Sequence, residues 1–436
     1  MDDRAGPSRP LKVPAGRMSR LARLGGLTAG VAGTMALQAL GDVARGTRPE
    51  ARRLLMTPGN LRRVADELAR MRGAAMKVGQ ILSMDAGELL PPELAGILAR
   101  LRDQAHVMPP SQLKQALTGA WGPDWQRAFR QFDVRPVAAA SIGQVHRATL
   151  KDGRTLAIKV QYPGIAQSID SDVANVGALV RLSGLVPKGL DLALYLEEAR
   201  RQLHEETDYL REGAQMERFA ALLDGSATFA VPRFHADWSG RSVLAMDFMA
   251  GRPIESVAAL DADGRNRVMA ALVDLALREV FAFGVVQSDP NFANYLHNAD
   301  TGRIVLLDFG AVRDLDGGVT QAYRDLLRAG LAGDAGGVQA AARDLGLIAG
   351  GPFDPRILRM IAQVLDAIGA DRFDFADRTL VRQLNAEGMA LADAGYAPPP
   401  VPMDVLYIQR KLGGLFLLGS RLEARLSLRE IIAPYL

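Results

Sequence analysis

GVVQSDPNFANYLH (Gly284–His297) and IVLLDFG (Ile304–Gly310) decide how this chain folds. In the first stretch Asp289 and Asn294 stand five residues apart, in a segment broken by Pro290 and without helical period, which predicts an irregular loop. In the second, Ile304, Val305, Leu306 and Leu307 form a short apolar run that reads as a buried strand delivering Asp308 into a turn at Gly310. Two carboxylates and a carboxamide make an all-oxygen donor set, which is what hard magnesium demands. A strand that ends in an acidic turn is common. The five-residue spacing, the short gap between the two acids and the strand context together point to chemistry rather than to a structural turn.

Protein-kinase-like phosphotransferases use this arrangement: the first Asp orients or deprotonates the acceptor, and the Asn and second Asp hold magnesium against nucleotide phosphates. Working outward, VAAASIGQVHRATL, then Lys151-Asp152-Gly153, then RTLAIKVQYPG read as a loop, a strand, a tight Asp-Gly turn and a second strand. Lys159 lies inside that second strand. In isolation it reads as a lysine snorkelling from a sheet edge. After a small-residue loop and before the Asp/Asn/Asp set, it matches the lysine that reaches the α and β phosphates. The loop itself, Ala138, Ala139, Ala140, Ser141, Ile142 and Gly143, occupies the place where ordinary kinases carry G-x-G-x-x-G. It is small enough for backbone amides to approach phosphate, and stiffer than glycine because alanine avoids positive φ.

A long helical pattern runs from about Leu190 to Leu223, with a seam at Leu196, Ala199, Leu203, Glu206, Leu210 and Gly213. A carboxylate on that stripe must be paired, neutralised or turned toward a cavity; a frayed stripe with an exposed Glu206 is the bland alternative. Asp208 and Glu212 lie on another face, so the helix offers acids in two directions, one for Lys159 and one for a second lysine. Upstream, Val64, Leu68, Met71, Ala75, Val78 and Leu82 mark an amphipathic helix that carries Lys77, Gly79 and Gln80. Gly79 suggests close approach by another backbone; a solvated Lys/Gln face competes with that reading.

The chain has 436 residues, 48% of them apolar, and no cysteine, a folded profile of two or three domains that excludes disulfides, iron–sulfur clusters and thiolate zinc sites. Its 52 basic and 49 acidic residues are unevenly placed: residues 1–53 hold ten of the former and four of the latter, a net +6. Only seven of the basic residues are lysines, which makes Lys77 and Lys159 more informative. Residues 1–20 read as a disordered basic leader. Residues 24–40 are uncharged and glycine-rich, with Gly26 and Gly30 in G-x-x-x-G spacing. Three readings stay open for them: a small-residue helix packed on the domain, a membrane-associating or helix-pairing segment, and a signal peptide. The basic excess lacks interleaved aromatics, so nucleic acid is not an expected partner.

Together, K-x-G-Q at Lys77–Gln80, the alanine-rich loop, the AIK lysine, E-x-D at Glu206–Asp208, QSDPNFAN and DFG resemble the UbiB family of protein-kinase-like proteins. These are also called AarF-domain kinases and are associated with ubiquinone biosynthesis. DPNFAN, the C-terminal RKLGGLFLLGSRLEARLSLREIIAPYL and the glycine-rich segment are similar to the mitochondrial coenzyme Q members. The resemblance implies an α+β, protein-kinase-like bilobal fold: a leader and membrane-associating helix (1–60), a helical K-x-G-Q lid (61–130), a mixed lobe (131–250) and a larger helical lobe (251–436). It implies that Ala138–Gly143 and Lys159 bind nucleotide, with Lys159 paired to Glu212. Asp289 is then the catalytic acid and Asn294 and Asp308 bind magnesium. Lys77, Gly79, Gln80, Glu206 and Asp208 form the lid set, with Lys77 paired to Glu206, and such a lid blocks a protein substrate. Gln287-Ser288 in place of His-Arg, and no Ala-Pro-Glu after DFG, speak against protein phosphorylation in trans.

The expectation is a magnesium–ATP/ADP-binding ATPase supporting ubiquinone biosynthesis at a membrane surface, cytoplasmic and peripherally membrane-associated, or mitochondrial in a eukaryote. Its expected partners are a membrane lipid or quinone intermediate, ubiquinone-biosynthesis enzymes and a second copy through the glycine-rich helix. A small-molecule or lipid phosphotransferase and a nonenzymatic nucleotide-binding scaffold are the rival readings.

Overall fold

The computed structural model describes residues 107–436 except 141, 183–191, 290, 397, 398 and 400, together with Ala74, Lys77 and Val78. The leader, residues 24–40, Gly79, Gln80 and Ser141 lie outside the described residues. By contacts the chain forms two compact units. The first takes the described residues up to Ala214 and Arg233–Phe248, and the second takes Gln215–Pro232 and Met249–Leu436.

The first unit is mixed. Helix α1 (Pro110–Trp121) starts with a proline, whose fixed φ suits a first helical position, and buries Leu113 and Leu117, four apart. Strands β1 (Phe129–Phe132), β2 (Ala138–Ala139), β3 (Gly143–Leu150) and β4 (Thr155–Gln161) follow. Then come helices α2 (Ile165–Leu182), α3 (Leu192–Glu206) and α4 (Tyr209–Leu222), which runs on into the second unit after Ala214. The short β5 (Phe229–Ala230) belongs to that second unit, where it pairs with Ile304 and Val305, and strand β6 (Val243–Asp247) returns to the first. An antiparallel sheet runs β1-β3-β4-β6, with β2 paired to β3. The Asp152-Gly153 turn joins β3 to β4, and Gly153 takes a φ of 96° there. All three tryptophans belong to this unit, packed with Phe129 and Phe132 so that ring centroids of Trp121 and Trp238 lie 5.3 Å apart.

Two sequence expectations change here. The alanine-rich loop is partly strand, because Ala138 and Ala139 pair with Val145 and Gln144. The single helix expected over 190–223 is two helices. Between them, the Asp208 carboxylate accepts from Leu210 N–H and Arg211 N–H, both at 3.2 Å, and its carbonyl accepts from Glu212 N–H. An aspartate that satisfies the first free amides of a new helix ends the old one. Leu210 accordingly leaves the seam and is 46% exposed, while Leu196, Ala199 and Leu203 stay buried.

The second unit is mainly helical. It holds β7 (Arg252–Pro253), α5 (Ala262–Arg278), β8 (Val285–Gln287), β9 (Tyr295–His297), β10 (Ile304–Leu306) and β11 (Val312–Asp314). Helices α6 (Gly317–Ala332), α7 (Ala335–Asp344) and α8 (Pro355–Gly369) come next, followed by β12 (Phe373–Asp374), α9 (Thr379–Asp393), α10 (Met403–Leu422), β13 (Arg425–Leu426) and α11 (Leu428–Ile432). Asp316, Asp334 and Asp354 cap α6, α7 and α8 through their side chains, so each aspartate before an apolar-periodic run marks a start. Ala322, Leu326 and Ala329 of α6 pack with Val338 and Ala341 of α7, Leu345, Leu365 of α8 and Val405 of α10. Among the described residues, no helix is long and apolar enough to cross a membrane.

Candidate active site

In the first unit, β4 is buried along nearly its whole length, which follows from an apolar run flanked by β3 and β6 on either side. Lys159 pairs across to Val145 on one neighbour and Leu244 on the other, so it is a central-strand lysine, not one snorkelling from an edge. Its Nζ donates to both carboxylate oxygens of Glu212, at 2.8 and 3.0 Å. Glu212 is 1% exposed and Lys159 9%, and the ammonium also lies 5.1 Å from the Tyr209 ring centroid. A buried pair satisfied on both carboxylate oxygens holds its charges in register, whereas either partner alone would be an uncompensated charge.

Gly143 opens β3 at the end of the alanine-rich turn, where Ala140 N–H donates to the Gly143 carbonyl at 2.9 Å. A Cβ on Gly143 would meet the Val160 carbonyl oxygen at 2.4 Å and the Tyr209 hydroxyl at 3.0 Å. The single glycine of this loop is therefore required by close approach of backbone, while Ala138 and Ala139 stand exposed. Ile142 is buried and accepts from Tyr162 N–H.

Lys77 is 2% exposed, and its ammonium hydrogen-bonds the Glu206 carboxylate at the end of α3. Glu206 is thus paired, not exposed. The break between α3 and α4 sends the two acids to different lysines, Glu206 to Lys77 and Glu212 to Lys159. Gln161, just beyond Lys159 in β4, steadies the break by donating to the Thr207 and Arg241 carbonyls at 2.7 and 3.0 Å.

In the second unit, two nested strand pairs present the acidic loop. Gln287, the last residue of β8, pairs with Val312, and Tyr295, the first residue of β9, pairs with Leu306. Ser288 and Asn294 are thereby laid beside residues 307–311. Further bonds lace the two segments together. Leu307 N–H donates to the Asn294 carbonyl at 2.9 Å, Ser288 donates through both N–H and Oγ to the Ala311 carbonyl, and Gln287 Nε2 donates to the Asp308 carbonyl at 2.9 Å. Asp289 accepts from Asn291 N–H, Asn291 caps the short turn that ends at Asn294, and Asp308 Oδ1 accepts from Gly310 N–H at 2.9 Å. Asp289, Asn294 and Asp308 all retain solvent access, whereas Phe309 is fully buried with its ring 5.3 Å from Phe219.

This donor set fits magnesium. Mg²⁺ keeps several waters and takes one or two carboxylates plus phosphate oxygens rather than a full protein cage. Among the described residues no three His, Asp or Glu side chains form a ready-made metal cluster.

Several supporting residues escaped the sequence reading. Tyr209 carried one signal, an aromatic residue three positions before Glu212. Gln287 and Ser288 stood out only as departures from His-Arg, yet they hold the loop by hydrogen bonds. Glu279 and Lys411, a buried ion pair of the second unit at 2.9 Å, gave no local signal beyond the scarcity of lysine in this chain.

Comparison with known proteins agrees with this architecture. Residues 100–342 match the family model described as the ABC1 atypical kinase-like domain. The chain is 35% identical over 418 residues to the atypical kinase COQ8, mitochondrial, of Saccharomyces cerevisiae, covering 94% of this chain and 83% of that protein. It is 36% identical over 438 residues to the atypical kinase COQ8B, mitochondrial, of Rattus norvegicus, covering 97% and 81%. Among solved structures, the Rv3197–erythromycin complex from Mycobacterium tuberculosis aligns with a TM-score of 0.64 at 25% identity, over 85% of this chain and 93% of that chain.

Proposed function

The chain belongs to the ABC1 atypical kinase-like family, and from that membership we propose that it is a magnesium-nucleotide-dependent ATPase supporting coenzyme Q biosynthesis at a membrane surface. The observation that carries the reading is the buried Lys159–Glu212 pair in one unit, joined in the same chain to a laced Asp289/Asn294/Asp308 loop in the other. Lys159, held by Glu212, receives the α and β phosphates. The small residues of the Ala138–Gly143 segment let the phosphates approach its backbone. Asn294 and Asp308 hold magnesium, which when bound neutralises charge on the phosphates. Asp289 orients the attacking oxygen and accepts its proton. Its half-buried carboxylate, which keeps solvent access, and the fixed ends of its loop suit that task.

Lys77, buried and tied to Glu206, belongs to a segment that governs access for a protein acceptor. This favours hydrolysis, or transfer to a small lipid-like acceptor, over phosphorylation of proteins. The mitochondrial names of its relatives and the basic residues of 1–53 support work beside an anionic membrane, with quinone intermediates and their enzymes as partners.

The test is thermal shift with ATP or ADP, with and without Mg²⁺, on wild type, Lys159→Ala and Asp308→Asn, followed by ATP turnover. At a hundredfold excess over Kd the ligand adds about 2.7 kcal/mol. Wild type gains stability with Mg-nucleotide, Asp308→Asn loses the magnesium dependence, and Lys159→Ala loses the shift. Absence of any Mg-dependent shift in wild type, or full Mg-dependent hydrolysis by Asp308→Asn, would overturn the assignment.

A further inference from the structure

The second unit contains a buried lysine that the chemistry above does not use. Lys411, on α10, is 2% exposed, and its Nζ donates to Glu279 Oε1 at 2.9 Å and to the Tyr295 hydroxyl at 3.1 Å. Glu279 is completely buried, and its other carboxylate oxygen accepts from Gln287 N–H at 3.1 Å. One ammonium is thus bonded through Glu279 to residue 287, two before Asp289, and directly to residue 295, one after Asn294. Both ends of the acidic loop hang on the same buried charge.

The local backbone is built around this contact. Glu279 opens a π-helix, Glu279–Phe283, that continues α5 and closes at Gly284 with φ +64°, a left-handed turn that glycine adopts without strain. Single π-turns gather at functional sites because the widened turn re-aims a side chain. Burial disfavours a charged Lys411, but the Glu279 carboxylate and the Tyr295 oxygen outweigh it and hold the ammonium above its ordinary range. A buried ion pair is weak evidence for stability, because a well-packed apolar replacement is often as stable. What an apolar pair could not do is bond in a fixed direction to two points of the loop.

We infer that Lys411 is a positioning residue for the Asp289–Asn294 loop, acting through Glu279 and Tyr295. The inference rests on the proposed roles of Asp289 and Asn294.

The test uses the full chain and the variants Lys411→Met and Tyr295→Phe, with Asp289→Asn as control. Amide hydrogen exchange of peptides covering 285–297 is measured beside peptides of α6 and α7, and the kcat and KM of Mg-ATP hydrolysis are measured on the same samples. In Lys411→Met, exchange across 285–297 quickens about tenfold while α6 and α7 hold, and kcat falls about tenfold with KM changed less than threefold. Tyr295→Phe gives the same pattern at a smaller size, and decides the matter if Lys411→Met does not fold. Exchange at 285–297 equal to wild type in a folded variant, or a uniform rise over the whole unit, overturns the inference. If Asp289→Asn hydrolyses ATP as wild type does, the functional reading fails instead, and the exchange pattern still judges the clamp.

Discussion

His146 shows how a single residue is set by its bonds. Its Nδ1 faces the Asp133 carbonyl at 2.7 Å and must donate, so the ring proton is there. Its Nε2 faces the Gln144 amide nitrogen at 2.8 Å, whose oxygen accepts from Met108 N–H at 2.8 Å, so Nε2 must accept. A second ring proton would set two donors face to face in a fully buried site. Burial also pushes the imidazole below its ordinary 6.5, more strongly than the Asp133 carbonyl raises it. The sign follows. A histidine kept neutral in the fold and free to protonate when unfolded costs nothing above pH 6.5 and withdraws stability as pH falls below it. Urea midpoints of wild type should drop between pH 7 and pH 5 more steeply than those of His146→Gln; equal slopes would assign the loss to other groups. In sequence, this histidine was one of five scattered ones. Lys159 was legible for its strand and its rarity, but the physics of the sequence left Glu206 and Glu212 both available to it.

Between residues and units, the helix pair α3 and α4 carries the most consequential correction. Hydrophobic spacing runs through Thr207 and Asp208 with no proline or glycine to stop it, so periodicity alone reads one helix. Asp208 stops it by capping, and the rotation that follows sends Glu206 and Glu212 to different lysines. Asp208→Ala should destabilise α4 by about 1 kcal/mol, with Asp208→Asn close to wild type, as read by chemical denaturation. Equal loss in both would mean that the charge matters rather than the cap. The strand pairs β8–β11 and β9–β10 were more legible, since an apolar run into an acidic glycine turn specifies a strand end. Their nesting was not, because pairing partners are chosen by register with distant residues.

At the scale of the whole molecule, charge segregation makes its own prediction. If the +6 of residues 1–53 draws the protein to membranes, it should co-sediment with vesicles containing phosphatidylserine and not with neutral ones, and lose binding as salt rises. Removing residues 1–53 should abolish the binding; retention at full strength would place the membrane contact elsewhere.

Lysine scarcity and the absence of thiols are read from the whole composition, whereas the Asp/Asn/Asp spacing and the Asp-Gly hairpin lie within short windows, and short windows specify local structure and donor chemistry. With the family resemblance their motifs carry, they implied an α+β kinase-like chain. The partners of its buried lysines were settled at long range: Lys77 meets Glu206 across 129 residues and Lys411 meets Glu279 across 132. Such pairs form because a charge taken out of water must find its counter-charge in the packed interior, and packing, not spacing along the chain, decides which one is within reach.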